Sequence, residues 1–104
     1  MVGYKVFTRD WTAVHGNGVF QYEVGGLYSE DRPPQARRNG FHFCKKVIDC
    51  FNYYEVDSRN RIAELEILGE VSENGDACST NKMRIVRELH WADIMELIEE
   101  QEAM

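Results

Sequence analysis

Long apolar runs are missing from this sequence. No stretch approaches the roughly 20 residues that a membrane-spanning helix needs, so no membrane partner is expected. Proline is scarce, and the two present adjoin as Pro33-Pro34, which marks 30–39 as a surface loop. Cysteine is scarce too: Cys44, Cys50 and Cys78. An odd count, with no apolar leader segment in Met1–Asp10, reads as reduced thiols and a cytoplasmic location. Zinc sites favour ligands two to four residues apart. Here Cys44 and Cys50 are six apart, with His42 and Cys78 only loosely placed around them, so no metal is expected. No Walker loop, dinucleotide fingerprint, H-E-x-x-H or G-x-S-x-G occurs.

Positive charge is in deficit as well. Lys and Arg number 12 against 18 Asp and Glu, a formal net charge of −6. The deficit is concentrated. Residues 1–61 hold nine Lys/Arg and seven Asp/Glu, a balance of +2, whereas 62–104 hold three and eleven, a balance of −8. An acidic half repels phosphate, so direct nucleic-acid binding is not expected. It suits a partner protein with a basic surface, such as a nucleic-acid-binding complex, with plain solubility as the competing reading.

What is present is a well-stocked core for 104 residues: 43% hydrophobic and 12% aromatic. That fits one domain over 1–104. Period-two alternation predicts strands at Tyr4–Phe7, Val19–Val24, Leu27–Ser29, Phe41–Cys44, Ala63–Val71 and Met83–Arg87. The stretch 8–18 reads as turn-rich, centred on His15-Gly16-Asn17-Gly18, with His15 solvated, and Gly25-Gly26 reads as a hairpin turn. Val47, Ile48, Phe51 and Tyr54 share one face of a short helix over 45–54. Residues 72–81 read as a loop around Asn74-Gly75. A closing helix, Trp91–Glu102, carries Trp91, Ile94, Met95, Ile98 and Glu102 on one stripe. His90 stands at its N-cap, where Ser or Asp would serve better, and the glutamates near its C-terminus predict fraying. The expected class is α+β, with five to seven short, mostly antiparallel strands and two helices.

Two resemblances follow from particular blocks. YKVFTRDWT, FQYEVGGLY, GFHFC…DCFNYY, GEV and STNKMRIVREL, in that order, resemble a family of small uncharacterised domains of bacteriophage and bacterial genomes. This resemblance implies a phage-type accessory protein, working in the host cytoplasm by binding a host protein. A host defence or nucleic-acid-handling complex is the target class, an anti-CRISPR-like role. Secondly, GFHFCKKVIDCFNYY resembles the core of ADP-ribosyltransferases, whose block has the form G-I-Y-F-A-x-x-x-S-x-S-A-x-Y. That resemblance implies a minimal ADP-ribosyltransferase-like core with NAD as cofactor. His42 would fall on the tyrosine of the family's His–Tyr–Glu triad, Cys50 on a serine that bonds nicotinamide, and Tyr53 on a tyrosine that stacks on it. The sequence departs from the pattern at Lys5, where the triad histidine would lie, and at Asn81-Lys82, where the glutamate would lie. The binding reading instead places the partner surface on Glu64, Glu66, Glu70, Glu96, Glu99 and Glu100.

Overall fold

A computed structural model describes residues 1–15, 18–52 and 59–103. Among the described residues, nine strands run in order: β1 Val2–Thr8, β2 Thr12–His15, β3 Gly18–Gln21, β4 Leu27–Ser29, β5 Phe41–Phe43, β6 Asn60–Ile67, β7 Val71–Asn74, β8 Ala77–Thr80 and β9 Lys82–Leu89. A 3₁₀ helix, Val47–Asn52, precedes β6, and the helix α1, Trp91–Glu102, follows β9. The α+β class of mostly antiparallel strands with two helices is therefore observed, with more strands than the five to seven expected.

The strands form a four-stranded sheet of order β1-β6-β9-β4, a three-stranded sheet β5-β8-β7 and the ribbon β2-β3. Strands β6–β7 and β8–β9 are one long hairpin that bends where it passes between the sheets. At the bend the N–H groups of Leu68 and Gly69 both donate to Lys82 O (3.0 and 3.2 Å), and Glu70 N–H donates to the Asn81 side chain at 2.9 Å. A bridge between Tyr4 and Cys44, with 2.8 Å bonds in both directions, ties the three-stranded sheet to β1.

Alternation along β6 and β9 buries Ala63, Leu65, Ile67, Met83 and Ile85 between the sheets, with Phe7, Phe41 and Phe43. On the opposite face Tyr4, Val6, Ile62 and Leu89 receive the 3₁₀ helix and Ile94 of α1. A full-length burial of one large apolar side chain contributes about 1.5–3 kcal/mol, so these two clusters hold the domain together.

Several expectations are corrected. The Gly25-Gly26 pair does not close a β3–β4 hairpin. Gly25 N–H donates to Ile85 O (2.7 Å) and Ile85 N–H to Gly26 O (3.0 Å), so this segment runs beside β9. Strand β3 pairs instead with β2, in the stretch read as turns; the polar sequence Thr12–His15 hides a strand because its ribbon is largely exposed. The tight turn expected there falls on residues 16 and 17, outside the described residues. The strand expected to reach Val71 stops at Ile67, and seven of the ten residues of the expected 72–81 loop belong to β7 and β8, which turn at Gly75 with φ +66°. The helix expected over 45–54 is 3₁₀, so Val47 and Cys50, three apart, form its buried side, while Ile48 and Phe51 are exposed. Tyr54 lies outside the described residues.

Helix α1 has the expected span but is rotated. Ile94, Leu97 and Ile98 pack inward while Trp91 and Met95 face outward. Gln101 fixes this rotation: its Nε2 donates to Tyr4 Oη (3.0 Å) and its Oε1 accepts from Val47 N–H (3.0 Å). These two bonds pin the end that the sequence predicts to fray. At the other end His90 N–H donates to Asp93 Oδ2 at 3.0 Å, a capping contact that does not need a good cap side chain.

Candidate functional site

Two places concentrate chemistry. The first is a cavity of about 250 Å³ between β1, β5, β8 and the 3₁₀ helix, lined by Lys5, His42, Cys44, Cys50, Cys78 and Arg37 among others. Residues two apart on an extended chain share a face, which is how His42 of β5 and Cys44, the residue just after that strand in a bridge to Tyr4, both reach the cavity. The 3₁₀ helix brings up Cys50, and β8 brings Cys78 opposite Phe43. His42 and Cys50, paired on sequence grounds, thus line one cavity. Tyr53, the third of that set, lies outside the described residues.

Lys5 was singled out only as a departure from a pattern, yet it is central. Its Nζ donates to the His42 carbonyl at 2.8 Å, and it separates this cavity from a second of about 370 Å³ bordered by Thr8, Thr12, His15 and Arg38. Burial disfavours the ammonium and brings Lys5 down to about 8. Burial, then the charge of Lys5 and then His15, brings His42 down to about 4, so its imidazole is neutral at pH 7. His42 Nδ1 is buried with no hydrogen-bond partner among the described residues. The neighbouring Cys50 thiol holds Cys44 below the ordinary thiol range, against burial and the Asp49 and Asp76 carboxylates, while Cys44 and burial push Cys50 up. Among the described residues no group of three or more His, Cys, Asp and Glu is arranged to hold a metal ion.

His15 is corrected from solvated to half-buried. Its ring stacks on Phe41 with centroids 4.6 Å apart, and Nε2 meets Glu30 Oε2 at 2.8 Å.

The second place is the acidic surface, which the structure divides. Glu64 and Glu66 lie on the sheet and are matched by Arg87 (3.2 Å) and Arg84 (3.7 Å). Glu70 sits at the hairpin bend beside Asn81. Glu96, Glu99 and Glu100 lie on α1 and have no ion pair among the described residues. Beside them Trp91 and Met95, one turn apart, are 56% and 59% exposed. In the sequence Trp91 and Met95 share one stripe with Ile94 and Ile98; their exposure follows from the helix rotation, which Gln101 sets.

Among the described residues no helix is long and apolar enough to cross a membrane. A family model described as "Domain of unknown function (DUF7666)" matches residues 1–97. No curated protein and no solved structure matches the chain.

Proposed function

We propose that this chain, which belongs to the DUF7666 family of domains of unknown function, is a protein-binding module that docks a basic partner on the outer face of α1. One observation carries the reading. Trp91 and Met95 form an exposed apolar ridge, Glu99 stands one turn beyond Met95 with Glu96 and Glu100 further round the exposed side of the helix, and none of the three has an ion pair among the described residues. Large exposed apolar side chains that sit together mark interaction sites, and Trp is enriched among the residues that carry binding energy. Unmatched carboxylates around them steer a positively charged surface into place and reject anionic ones.

A nucleic-acid-handling complex has the matching charge, because its own substrate is a polyanion. Within that class, a host defence complex blocked by a phage-type accessory protein in the cytoplasm is the reading that the sequence blocks favour. The NAD reading has weaker support. The cavity holding His42 and Cys50 measures about 250 Å³, below the roughly 300–1,000 Å³ of sites for drug-sized ligands, which suits something much smaller than a dinucleotide.

The test is partner capture from cells of the source organism by the intact chain, by Trp91→Ala and by Glu96→Lys/Glu100→Lys. All three positions are exposed, so the variants keep the fold, which circular dichroism verifies. Capture that fades between low and physiological salt and is lost in both variants supports the reading. A partner retained equally by all three proteins overturns it.

A further inference from the structure

The three thiols of this chain, Cys44, Cys50 and Cys78, line one cavity. Cys44 is held beside β1 by its bridge to Tyr4, and Cys50 rises from the buried side of the 3₁₀ helix. They are 7% and 2% exposed, so an oxidant reaches them through the cavity of about 250 Å³ rather than from the general surface.

We propose that Cys44 and Cys50 form a peroxide-reactive pair, in which Cys44 is the sulfur attacked by a small hydroperoxide in the cavity and Cys50 the thiol that captures it as a disulfide. The class of substrate follows from the surroundings. The cavity admits a small polar molecule; Lys5 lines it with an ammonium of which one proton is committed, to the His42 carbonyl; and His42 Nδ1 lacks a partner among the described residues. The thiolate is the reactive form of cysteine. Cys44 is the more exposed of the two, and Lys5 lines the same cavity with its ammonium, so Cys44 is the sulfur that meets the oxidant first.

The chemistry balances. The Cys44 thiolate attacks one oxygen of hydrogen peroxide; the S–O bond forms, the O–O bond breaks, and the departing hydroxide takes a proton and leaves as water. The Cys50 sulfur then attacks the Cys44 sulfenic acid; the S–S bond forms, the S–O bond breaks, and hydroxide leaves with the Cys50 proton as a second water. Two thiols lose two electrons, and one peroxide becomes two waters.

The experiment treats the reduced full-length chain with hydrogen peroxide, blocks remaining thiols with N-ethylmaleimide and maps peptides without reduction. Lys45 and Lys46 stand between the two cysteines, so trypsin separates them and a Cys44–Cys50 linkage appears as a joined peptide pair. The expected result is that pair, with Cys78 alkylated. In Cys50→Ser a dimedone adduct accumulates on Cys44, and in Cys44→Ser peroxide consumption falls about tenfold or more. Linkage through Cys78, an adduct on another sulfur, or wild-type consumption no faster than that of the urea-unfolded chain overturns the assignment. The wild-type mapping alone decides, whatever the stability of the variants.

Discussion

The ammonium of Lys5 donates a 2.8 Å hydrogen bond to the main-chain carbonyl of His42, so that β1 and β5 meet through a charged group in the wall of two cavities. Both partners titrate away from their ordinary values, and both shifts have a consequence for stability.

The Lys5 shift, from 10.5 to about 8, means that the unfolded chain holds a proton that the folded chain releases between those values. Unfolding takes up the proton, so stability from this group rises as pH increases from 8 to 10.5, by about 2–3 kcal/mol. Cys50, pushed up by its bond to Cys44 and by burial, acts in the opposite sense over the same range. The readout is therefore the difference between wild type and Lys5→Met in urea melts at pH 7, 8, 9 and 10. The variant should lose the rising component, and parallel curves would contradict the assignment.

His42 gives an acid counterpart. Its pKa falls from 6.5 to about 4 because burial and Lys5 disfavour the imidazolium. The unfolded chain therefore binds the extra proton, and stability drops as pH falls from 6.5 towards 4. A His42→Asn variant should show a flatter slope over that window, measured by thermal melts at matched ionic strength.

Gly3 lies under the ring of Phe43, where an added Cβ would meet Cδ2 at 2.5 Å. Phe43 is itself buried between the sheets and has nowhere to swing. Overpacking of this kind costs about 1–3 kcal/mol, so Gly3→Ala should lower the unfolding free energy by that amount and bring the urea midpoint down with it. An unchanged midpoint would mean that the ring can shift.

Gln101 holds α1 through Tyr4 and Val47. Gln101→Leu strands the Val47 N–H and should cost about 1–3 kcal/mol, whereas Tyr4→Phe, which loses one bond, should cost about 1 kcal/mol. Amide hydrogen exchange in the last turn of α1 should accelerate in the Gln101 variant and much less in Tyr4→Phe.

Much of the fold is legible wherever burial is one-sided. Strands β6 and β9 alternate over Leu65–Ile67 and Met83–Ile85, where one face lies between the sheets, and α1 has a span bounded by His90 and the glutamates. The ribbon β2–β3 and the strands β7 and β8 are not legible, although the turn between β7 and β8 at Asn74-Gly75 is. Their side chains are largely exposed or polar, so pairing rather than hydrophobic period defines them. Of the candidate site, His42 and Cys50 were paired through one contiguous block and do line one cavity. Lys5 and Cys78 come from distant strands and only the register brings them there. Grouping the acidic residues by count along the chain is blind to Arg84 and Arg87, which match the sheet carboxylates and, through Arg87, Asp93 of α1, while Glu96, Glu99 and Glu100 have no ion pair among the described residues.

The bent hairpin also sets an order of assembly. Its inner pair, Asn74 with Ala77, closes a loop of two residues, and pairing can then run outward through the bend to Ile62 with Leu89. By contrast β1 must find β6 across the separation between Val2 and Glu66, at a loop-closure cost that grows with the logarithm of length. Local contacts form sooner than distant ones, so the hairpin is the template and β1 the late arrival. Since β1 carries Tyr4 and Lys5, the thiol cavity takes its final shape only when the chain's first strand docks.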